Sequence, residues 1–312
     1  MNEVKGYFMI MGAAFFWGIS ATGAKFLLNQ QLDTILIVQF RVTITCMLLL
    51  VYYLLFKAHL LRIATRDLWR FASLGILGIA GANFTYYFTI KESTVATGIL
   101  IQYTAPLFVM GYAVIAKEER FTTIKLSAAL VSLVGCFLAV GGVDEIKITP
   151  VGMLTGAGSV FCFAFMSIFT RHVLQRYNVW TLTFYSIAFA SLFWLMVNPP
   201  WKIVAAGLSW NVWWALAGLA VVSVLIPHSL FFGGLRFVVA SRAVITSTLE
   251  PVVAIASAAI LLGEYLDSVQ VLGALLVITA IVLLQVRREA STIIIAPPST
   301  VHQTDDTEFS SQ

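Results

Sequence analysis

Charged residues are scarce in this sequence of 312 amino acids: Asp, Glu, Lys and Arg make up 11% of it, whereas hydrophobic residues make up 60%. A soluble globular domain carries about 25% charged residues, so this composition excludes a soluble enzyme, a disordered protein and a nucleic-acid binder. The mean hydropathy of +0.91 indicates a polytopic membrane protein. Basic residues in such proteins mark cytoplasmic loops, so the net charge of +4 does not indicate an anionic partner.

Cysteine and histidine are also rare. The three cysteines, Cys46, Cys136 and Cys162, lie inside apolar runs without CxxC, zinc or haem spacing, and we interpret them as small buried apolar residues. His59 and His302 lie in a loop and in the tail, where no second histidine or carboxylate stands at a metal-ligand spacing. A Walker motif is absent as well. The sequence therefore predicts no metal site, no cofactor and no nucleotide-driven pump.

Long apolar runs dominate what is present. A transmembrane helix needs about 20 predominantly apolar residues, and the runs of this kind are separated by short, polar gaps. The ten predicted spans are 6–28, 34–56, 69–90, 94–116, 124–142, 151–171, 179–198, 212–235, 241–262 and 268–286. Residues 291–312 contain prolines and acidic residues and are expected to form a disordered cytoplasmic tail. The predicted fold class is an all-α polytopic membrane protein with ten transmembrane helices.

The basic residues predict the orientation of these helices. With the N-terminus inside, most of the 19 Lys and Arg residues fall in cytoplasmic segments, whereas Lys91, Lys147 and Lys202 fall on the outer side. Cytoplasmic loops of membrane proteins are enriched in basic residues. We therefore expect both termini to lie in the cytoplasm.

The sequence partly matches itself after a shift of about 145 residues. This shift pairs Trp69 with Trp214, Asn83 with His228, Lys91 with Arg236, Pro106 with Pro251 and Glu119 with Glu264, and a shift of 146 pairs Gly12 with Gly158 and Lys25 with Arg171. We predict two five-helix repeats, residues 1–145 and 146–290. Because five is odd, the second repeat must cross the membrane upside down relative to the first. Inverted repeats are an architecture of transporters, whose substrate sites lie near the membrane midplane.

Several segments also resemble a known family of carriers. The resemblance is carried by residues 240–284 and 96–135, by Trp17-Gly18 followed by Lys25, and by Phe40-Arg41, and it extends over about residues 6–286. These segments are similar to EamA-type transporters of the drug/metabolite transporter superfamily. The resemblance implies a ten-helix, multi-pass carrier of the cytoplasmic (inner) membrane. Members of the family export amino acids and other small metabolites, and some import cofactors or nutrients.

Glu250 is the one carboxylate deep inside a predicted span, about nine residues or roughly 13 Å from its start. An ionised carboxylate is costly there, so Glu250 should face a cavity or be protonated. It can couple proton movement or bind a substrate amine. A local role is the alternative, because Pro251 frees the carbonyl of Ser247, which a protonated Glu250 or a hydroxyl could satisfy. The first repeat has Ala105 before Pro106, so any coupling would be asymmetric.

Pro106 and Pro251 occupy equivalent positions in the two repeats, and each frees a carbonyl one turn earlier, at Gln102 and Ser247. Kinked helices paired by symmetry suit the gating elements of a transporter. Prolines are also tolerated in membrane helices without such a role. We treat both prolines as candidate gating residues.

Lys25 and Arg41 lie near the outer ends of their helices. Either side chain can reach the lipid headgroups, pair with Asp33 or Glu92, or attract a substrate carboxylate. Arg41 is therefore a candidate substrate-binding residue with a plain structural alternative.

Aromatic and amide side chains complete the candidate substrate site. An aromatic wall with a few polar groups suits a small amphiphilic solute, although most aromatic residues in membrane proteins serve packing. His228 could relay protons or be a neutral, hydrogen-bonded core residue. The candidate substrate-binding residues are Trp17, Arg41, Tyr86, Gln102, Tyr103, His228 and Glu250, with Tyr87 adjacent to Tyr86.

Together these features favour a secondary carrier that exports a small metabolite, an amino acid or a related compound, by alternating access. The lipid bilayer is its environment, and a proton gradient is its candidate energy source. Uptake of a nutrient or cofactor is the main alternative. An integral membrane lipid enzyme would need an embedded nucleophile or a His or Asp cluster, and a channel would need a ring of charges or a filter-like glycine loop. The sequence contains none of these.

Overall fold

A computed structural model describes residues 2–29, 32, 34–142, 146–201, 207–263 and 265–286. The tail predicted at 291–312, together with Asp33, Lys202 and Glu264, lies outside these residues. Over the described ranges the chain forms ten transmembrane helices, which confirms the predicted fold class. Nine of these are long and apolar enough to cross a membrane, and the fifth, with 17 residues, is shorter.

The helices are numbered here along the chain. They are α1 (Asn2–Asn29), α2 (Thr34–Phe56), α3 (Leu68–Ser73, Leu74–Gly81 and Ala82–Glu92), α4 (Val95–Gln102 and Ala105–Ile115), α5 (Thr123–Ala139), α6 (Pro150–Leu174), α7 (Val179–Val197), α8 (Trp210–Ala220, Val221–Leu225 and Ile226–Leu235), α9 (Ala240–Ser247 and Leu249–Leu262) and α10 (Ser268–Val286). The spans predicted at 94–116 and 241–262 as single helices are each divided in the structure.

Contacts between helix ends show that the two repeats run in opposite directions. The start of α1 meets the start of α9, where Glu3 and Arg242 are 2.9 Å apart. The loop after α4 contacts the start of α9 and also the end of α6, through Glu118 and His172. The first helix of one repeat thus begins at the face where the first helix of the other repeat ends. We call this the basic face, because it carries Arg66, Arg70, Arg120, Arg171, Arg176 and Arg242.

Both α3 and α8 contain a π-helical segment, Leu74–Gly81 in α3 and Val221–Leu225 in α8. A π-helical segment replaces the four-residue spacing of α-helical backbone hydrogen bonds with a five-residue spacing. Asn83 Nδ2 donates to the carbonyl of Ile79 at 2.7 Å, and His228 Nδ1 lies 3.0 Å from the carbonyl of Val224. Because both pairs obey the shift of 145 residues, the repeat extends to the side chains that complete these distorted turns.

Both α4 and α9 break at the same point of the repeat, immediately before a proline. The first segment of α4 ends at Gln102 and that of α9 at Ser247. Proline lacks the N–H group that would continue the helix, so Pro106 and Pro251 each fall in the first turn of the segment that follows the break. Thr248 occupies the break in α9, and its hydroxyl donates to the carbonyl of Ile245 at 2.6 Å.

Glycine contacts bring α5 and α10 together. A Cβ atom on Gly135 would lie 2.8 Å from the carbonyl oxygen of Gly273, and a Cβ atom on Gly273 would lie 2.6 Å from the carbonyl oxygen of Gly135. Small residues of this kind allow membrane helices to approach closely. The outward surface of α2 carries exposed Met47, Leu54 and Leu55, which suits contact with lipid.

Candidate functional site

Glu250 and Tyr103 join the two broken helices. Tyr103 directly follows the first segment of α4, and Glu250 lies in the first turn of the second segment of α9. The Tyr103 hydroxyl donates a hydrogen bond of 2.9 Å to Glu250 Oε2. Among the described residues this is the only hydrogen bond to the carboxylate, and Glu250 is only half-buried. The carboxylate therefore keeps unused acceptor positions for a proton or a ligand.

Gly18 brings α1 against the break in α9. A Cβ atom on Gly18 would lie 2.7 Å from the carbonyl oxygen of Glu250 and 2.7 Å from Cβ of Val253. A larger residue could not occupy this position without displacing backbone. Further along the same contact, the hydroxyl groups of Thr22 and Ser257 are 2.7 Å apart. The Trp17-Gly18 pair is thus the point where the first repeat touches the backbone that carries Glu250.

Trp17 packs against aromatic side chains of the second repeat. Its ring centroid lies 5.5 Å from that of His228, edge-on, and 5.4 Å from that of Phe231. Phe163 stacks on Phe231 with centroids 5.9 Å apart. A carbonyl oxygen can only accept a hydrogen bond, so His228 donates from Nδ1 to Val224. The imidazole is therefore fixed by the distorted turn of α8 while its edge meets Trp17.

Arg41 is buried, with 7% of its surface exposed, and its Nη2 donates to the Tyr87 hydroxyl at 2.9 Å. The guanidinium carbon lies 5.7 Å from the centroid of the Tyr87 ring, within range of a cation–π interaction. Arg41 is thus enclosed by protein and does not extend to the surface, as the snorkelling alternative required. The side chain of Lys25 lies outside the described part of the chain.

Tyr86 connects these two groups of residues. Its ring centroid is 5.5 Å from that of Tyr87. Gly98 of α4 makes room for it, because a Cβ atom there would lie 3.4 Å from Tyr86 Cε2. Gln102 precedes Tyr103, and its Oε1 atom is buried without a hydrogen-bond partner. Contacts therefore lead from Arg41 through Tyr87 and Tyr86 to helix α4, whose Tyr103 bonds Glu250.

The residues predicted from the sequence fall around this one region, with Pro106 and Pro251 just after the two helix breaks. Sequence reasoning missed Phe231 and Phe163. The repeat register contained the signal for both, because a shift of 145 places Tyr86 on Phe231 and a shift of 146 places Trp17 on Phe163. Over the described residues no group of three or more His, Cys, Asp or Glu side chains could hold a metal ion.

A second carboxylate, Glu119, lies at the basic face. Its oxygens accept hydrogen bonds from the Ser241 backbone nitrogen at 3.3 Å and from the Ser241 hydroxyl, and Oε2 lies 3.3 Å from Lys125 Nζ. These bonds tie the α4–α5 loop of the first repeat to the start of α9 in the second. Glu119 is thus a structural carboxylate at a helix end, and its repeat partner Glu264 lies outside the described residues.

Ten helices in two inverted repeats, with broken helices that meet at a polar cluster inside the bundle, define an inverted-repeat membrane transporter. The chain matches the EamA-like transporter family twice, over residues 4–141 and 150–286. It belongs to this family of membrane transporters. The two matches correspond to the two halves of the helix bundle.

Two proteins that are named as transporters are similar to this chain over nearly their full length. The "uncharacterized inner membrane transporter YicL" of Salmonella typhimurium is 24% identical over 293 residues, which cover 92% of this chain and 97% of the relative. An "uncharacterized transporter" of Archaeoglobus fulgidus is 27% identical over 281 residues, or 89% and 98% of the two chains. One crystal structure shares the fold with a TM-score of 0.75 at 18% identity, covering 90% of this chain and 96% of the other.

Proposed function

We propose that this protein is a secondary carrier of the cytoplasmic (inner) membrane that exports an amino acid or a related compound in exchange for protons. One observation carries the proposal: Glu250, a carboxylate held by a single tyrosine between two broken helices. The proposed substrate-binding residues are Trp17, Arg41, Tyr86, Gln102, Tyr103, His228 and Glu250, and the proposed gating residues are Pro106 and Pro251.

The coupling follows from the cost of a bare charge in the membrane. An ionised carboxylate inside the bilayer needs a compensating positive charge. A proton and a substrate ammonium group can each neutralise Glu250, but only one can do so at a time. Release of the substrate to the outside leaves Glu250 free to take a proton, which is carried inward on the return. An inward proton gradient thereby drives export, whereas the same cycle without a proton step would be a uniporter or an exchanger.

The matched breaks and π-helical segments support a cycle in which the repeats, residues 1–145 and 146–290, exchange conformations. In inverted-repeat transporters this exchange opens a midplane site to one side and then to the other. The arginines of the basic face support a cytoplasmic position for that face, and therefore for both termini. Uptake of a nutrient or cofactor would use the same site with the driving gradients reversed.

Transport by purified protein in proteoliposomes tests the proposal. Vesicles loaded with each unlabelled amino acid in turn are assayed for counterflow of the labelled compound, with and without an imposed pH gradient. We expect at least one amino acid to exchange and to move faster with the gradient. Glu250→Gln should lose the acceleration, because glutamine cannot take up or release a proton. Any exchange that remains should be weaker than in the wild type, because the neutral amide no longer attracts the substrate ammonium group.

Glu118→Gln is the matched control, because Glu118 is a partly exposed carboxylate of the basic face that pairs with His172. This variant should respond to the gradient as the wild type does. If transport ignores the gradient and Glu250→Gln has no effect, Glu250 is structural and the protein is a facilitator. If substrate accumulates inside with the proton gradient, the direction is uptake and the export proposal is wrong.

A further inference from the structure

The charge of Arg41 has no partner of opposite sign among the described residues. Its hydrogen bond there is to the neutral Tyr87 hydroxyl, and its Nε atom is buried without a partner. Other buried or half-buried arginines of the chain are paired differently, since Arg242 lies 2.9 Å from Glu3 and Arg70 lies 3.1 Å from Asp67. Arg171 also has a buried Nε atom without a hydrogen-bond partner, but it lies in the last turn of α6 at the basic face. Arg41 differs from these arginines because it lies inside the span of α2.

A buried arginine needs a counter-charge. The guanidinium group stays protonated in proteins, so Arg41 cannot neutralise itself as a buried lysine or carboxylate can. An unpaired charge inside the bilayer is strongly unfavourable. An anion that enters the bundle can supply this counter-charge.

The geometry around Arg41 suits an anionic group. Nε–H and a remaining Nη–H of a guanidinium form a fork that matches the two oxygens of a carboxylate. Tyr87 accepts its hydrogen bond from Arg41, which leaves its own hydroxyl proton available to the same anion. The nitrogen of His228 that donates is already committed to the carbonyl of Val224.

The position of Arg41 relative to Glu250 suits a solute that carries both charges. Arg41 lies seven residues, or roughly 10 Å, after the start of α2 at the face opposite the basic face, and Glu250 lies ten residues, or roughly 15 Å, after the start of α9 at the basic face. In a hydrocarbon core about 30 Å thick their depths differ by roughly 5 Å.

We infer that Arg41 and Tyr87 form an anion subsite of the transport cavity, which binds the carboxylate of a solute whose ammonium group binds Glu250. The binding of the ammonium group to Glu250 rests on the proposed function. The binding of the carboxylate depends only on Arg41. The consequence is selectivity: solutes without an anionic group bind weakly even if they carry an amine.

The test compares an amino acid with its carboxamide, which keeps the amine and the side chain but removes the negative charge. Counterflow in proteoliposomes gives the apparent affinity of the wild type, Arg41→Gln and Arg41→Lys for each compound. We expect the wild type to prefer the acid at least 10-fold. Arg41→Gln should bring this preference close to 1, mainly by raising KM for the acid, and Arg41→Lys should restore part of it, because lysine keeps the charge without the fork.

Arg66→Gln is the matched control, since Arg66 is exposed at the basic face, and it should keep the wild-type preference. An unchanged preference in Arg41→Gln overturns the inference. Failure of the proposed proton exchange gives a different result. In that case Glu250→Gln responds to the pH gradient as the wild type does, while the preference for the acid still depends on Arg41.

A binding measurement covers the case in which no amino acid is transported. Thermal unfolding of the purified protein is followed with added acetate, succinate or inorganic phosphate, and with chloride at matched ionic strength. We expect at least one of the three anions to raise Tm of the wild type and of Arg66→Gln above the chloride reference, but not that of folded, monodisperse Arg41→Gln. Equal shifts in all three proteins would contradict an anion subsite at Arg41.

Discussion

The two repeats share a backbone but differ in the side chains that they place at the centre. In α3 the first repeat has Tyr86 and Tyr87, and at the equivalent positions of α8 the second has Phe231 and Phe232. Both helices contain the same kind of π-helical segment one to two turns earlier. One wall of the cluster is consequently polar and the opposite wall is apolar, although the same helix geometry builds both.

The broken helices repeat this contrast. The break in α4 carries Tyr103 and is followed by Ala105, whereas the break in α9 carries Thr248 and is followed by Glu250. The hydroxyl of one repeat therefore meets the carboxylate of the other. The difference teaches that symmetry supplies the moving framework and asymmetry supplies the chemistry. Substitutions that make one repeat resemble the other should therefore distinguish the effects of the shared framework from those of the differing side chains.

Gly18→Ala should have the largest effect. A shift of 146 pairs Gly18 with Ala164, so this change makes the repeats more alike. Because the new Cβ atom would lie 2.7 Å from the carbonyl oxygen of Glu250, α1 and α9 must separate. Overpacking of this kind costs about 1–3 kcal/mol. We expect a lower Tm in detergent and a loss of transport in proteoliposomes.

Gly111→Ala is the control, because it is not expected to lower stability. A Cβ atom on Gly111 would meet nothing within 4 Å. Alanine is favoured over glycine in a helix by about 1 kcal/mol, so this variant should be as stable as the wild type or more stable. If Gly18→Ala behaves like Gly111→Ala, the close approach at Glu250 does not hold the repeats together.

Much of the framework could be predicted from this sequence, because apolar length and charge placement are local properties. The shift of 145 residues even paired Asn83 with His228 correctly. What their side chains do could not be predicted, since Leu74–Gly81 and Val221–Leu225 have the same apolar composition as an ordinary helix. The bonds of Asn83 to the Ile79 carbonyl and of His228 to the Val224 carbonyl are visible only in the structure.

The contacts of the candidate site were less predictable. Tyr103 and Glu250 are 147 residues apart, and their meeting depends on how two helix breaks face each other. The position of Arg41 near a helix end suited headgroups, an acidic partner and a substrate equally well. Only the packing of α2 against its neighbours decides among these, by enclosing Arg41 beside Tyr87.

Single substitutions of Asn83 and His228 should have effects of intermediate size on stability and transport. His228→Leu and Asn83→Leu each remove a side-chain hydrogen bond to a backbone carbonyl, which costs about 0.5–1.5 kcal/mol. Asn83→His and His228→Asn can each keep a donor to the carbonyl, at Ile79 and Val224 respectively, so we expect Tm close to that of the wild type in both.

Transport activity should distinguish Asn83→His from His228→Asn. His228→Asn should lower transport several-fold, because asparagine does not fill the space against the Trp17 ring, 5.5 Å from that of His228. Asn83→His should leave transport nearly unchanged. Equal transport by the two exchanged variants would show that His228 has only the structural role of its counterpart.

Tyr87→Phe should have the smallest effect and bears most directly on the difference between the walls, because it gives the first repeat the residue that the second has at Phe232. The ring stays, so packing and the cation–π contact with Arg41 are kept, and Tm should change little. Loss of one hydroxyl from the proposed anion subsite should weaken the apparent affinity for a transported amino acid about 2- to 10-fold, the range expected for one hydrogen bond.

Tyr112→Phe, at a residue that is 48% exposed, is the control and should change neither Tm nor the apparent affinity. If Tyr87→Phe lowers affinity for the amino acid and its carboxamide equally, the Tyr87 hydroxyl serves the shape of the cavity, and the polar wall is not what distinguishes the carboxylate.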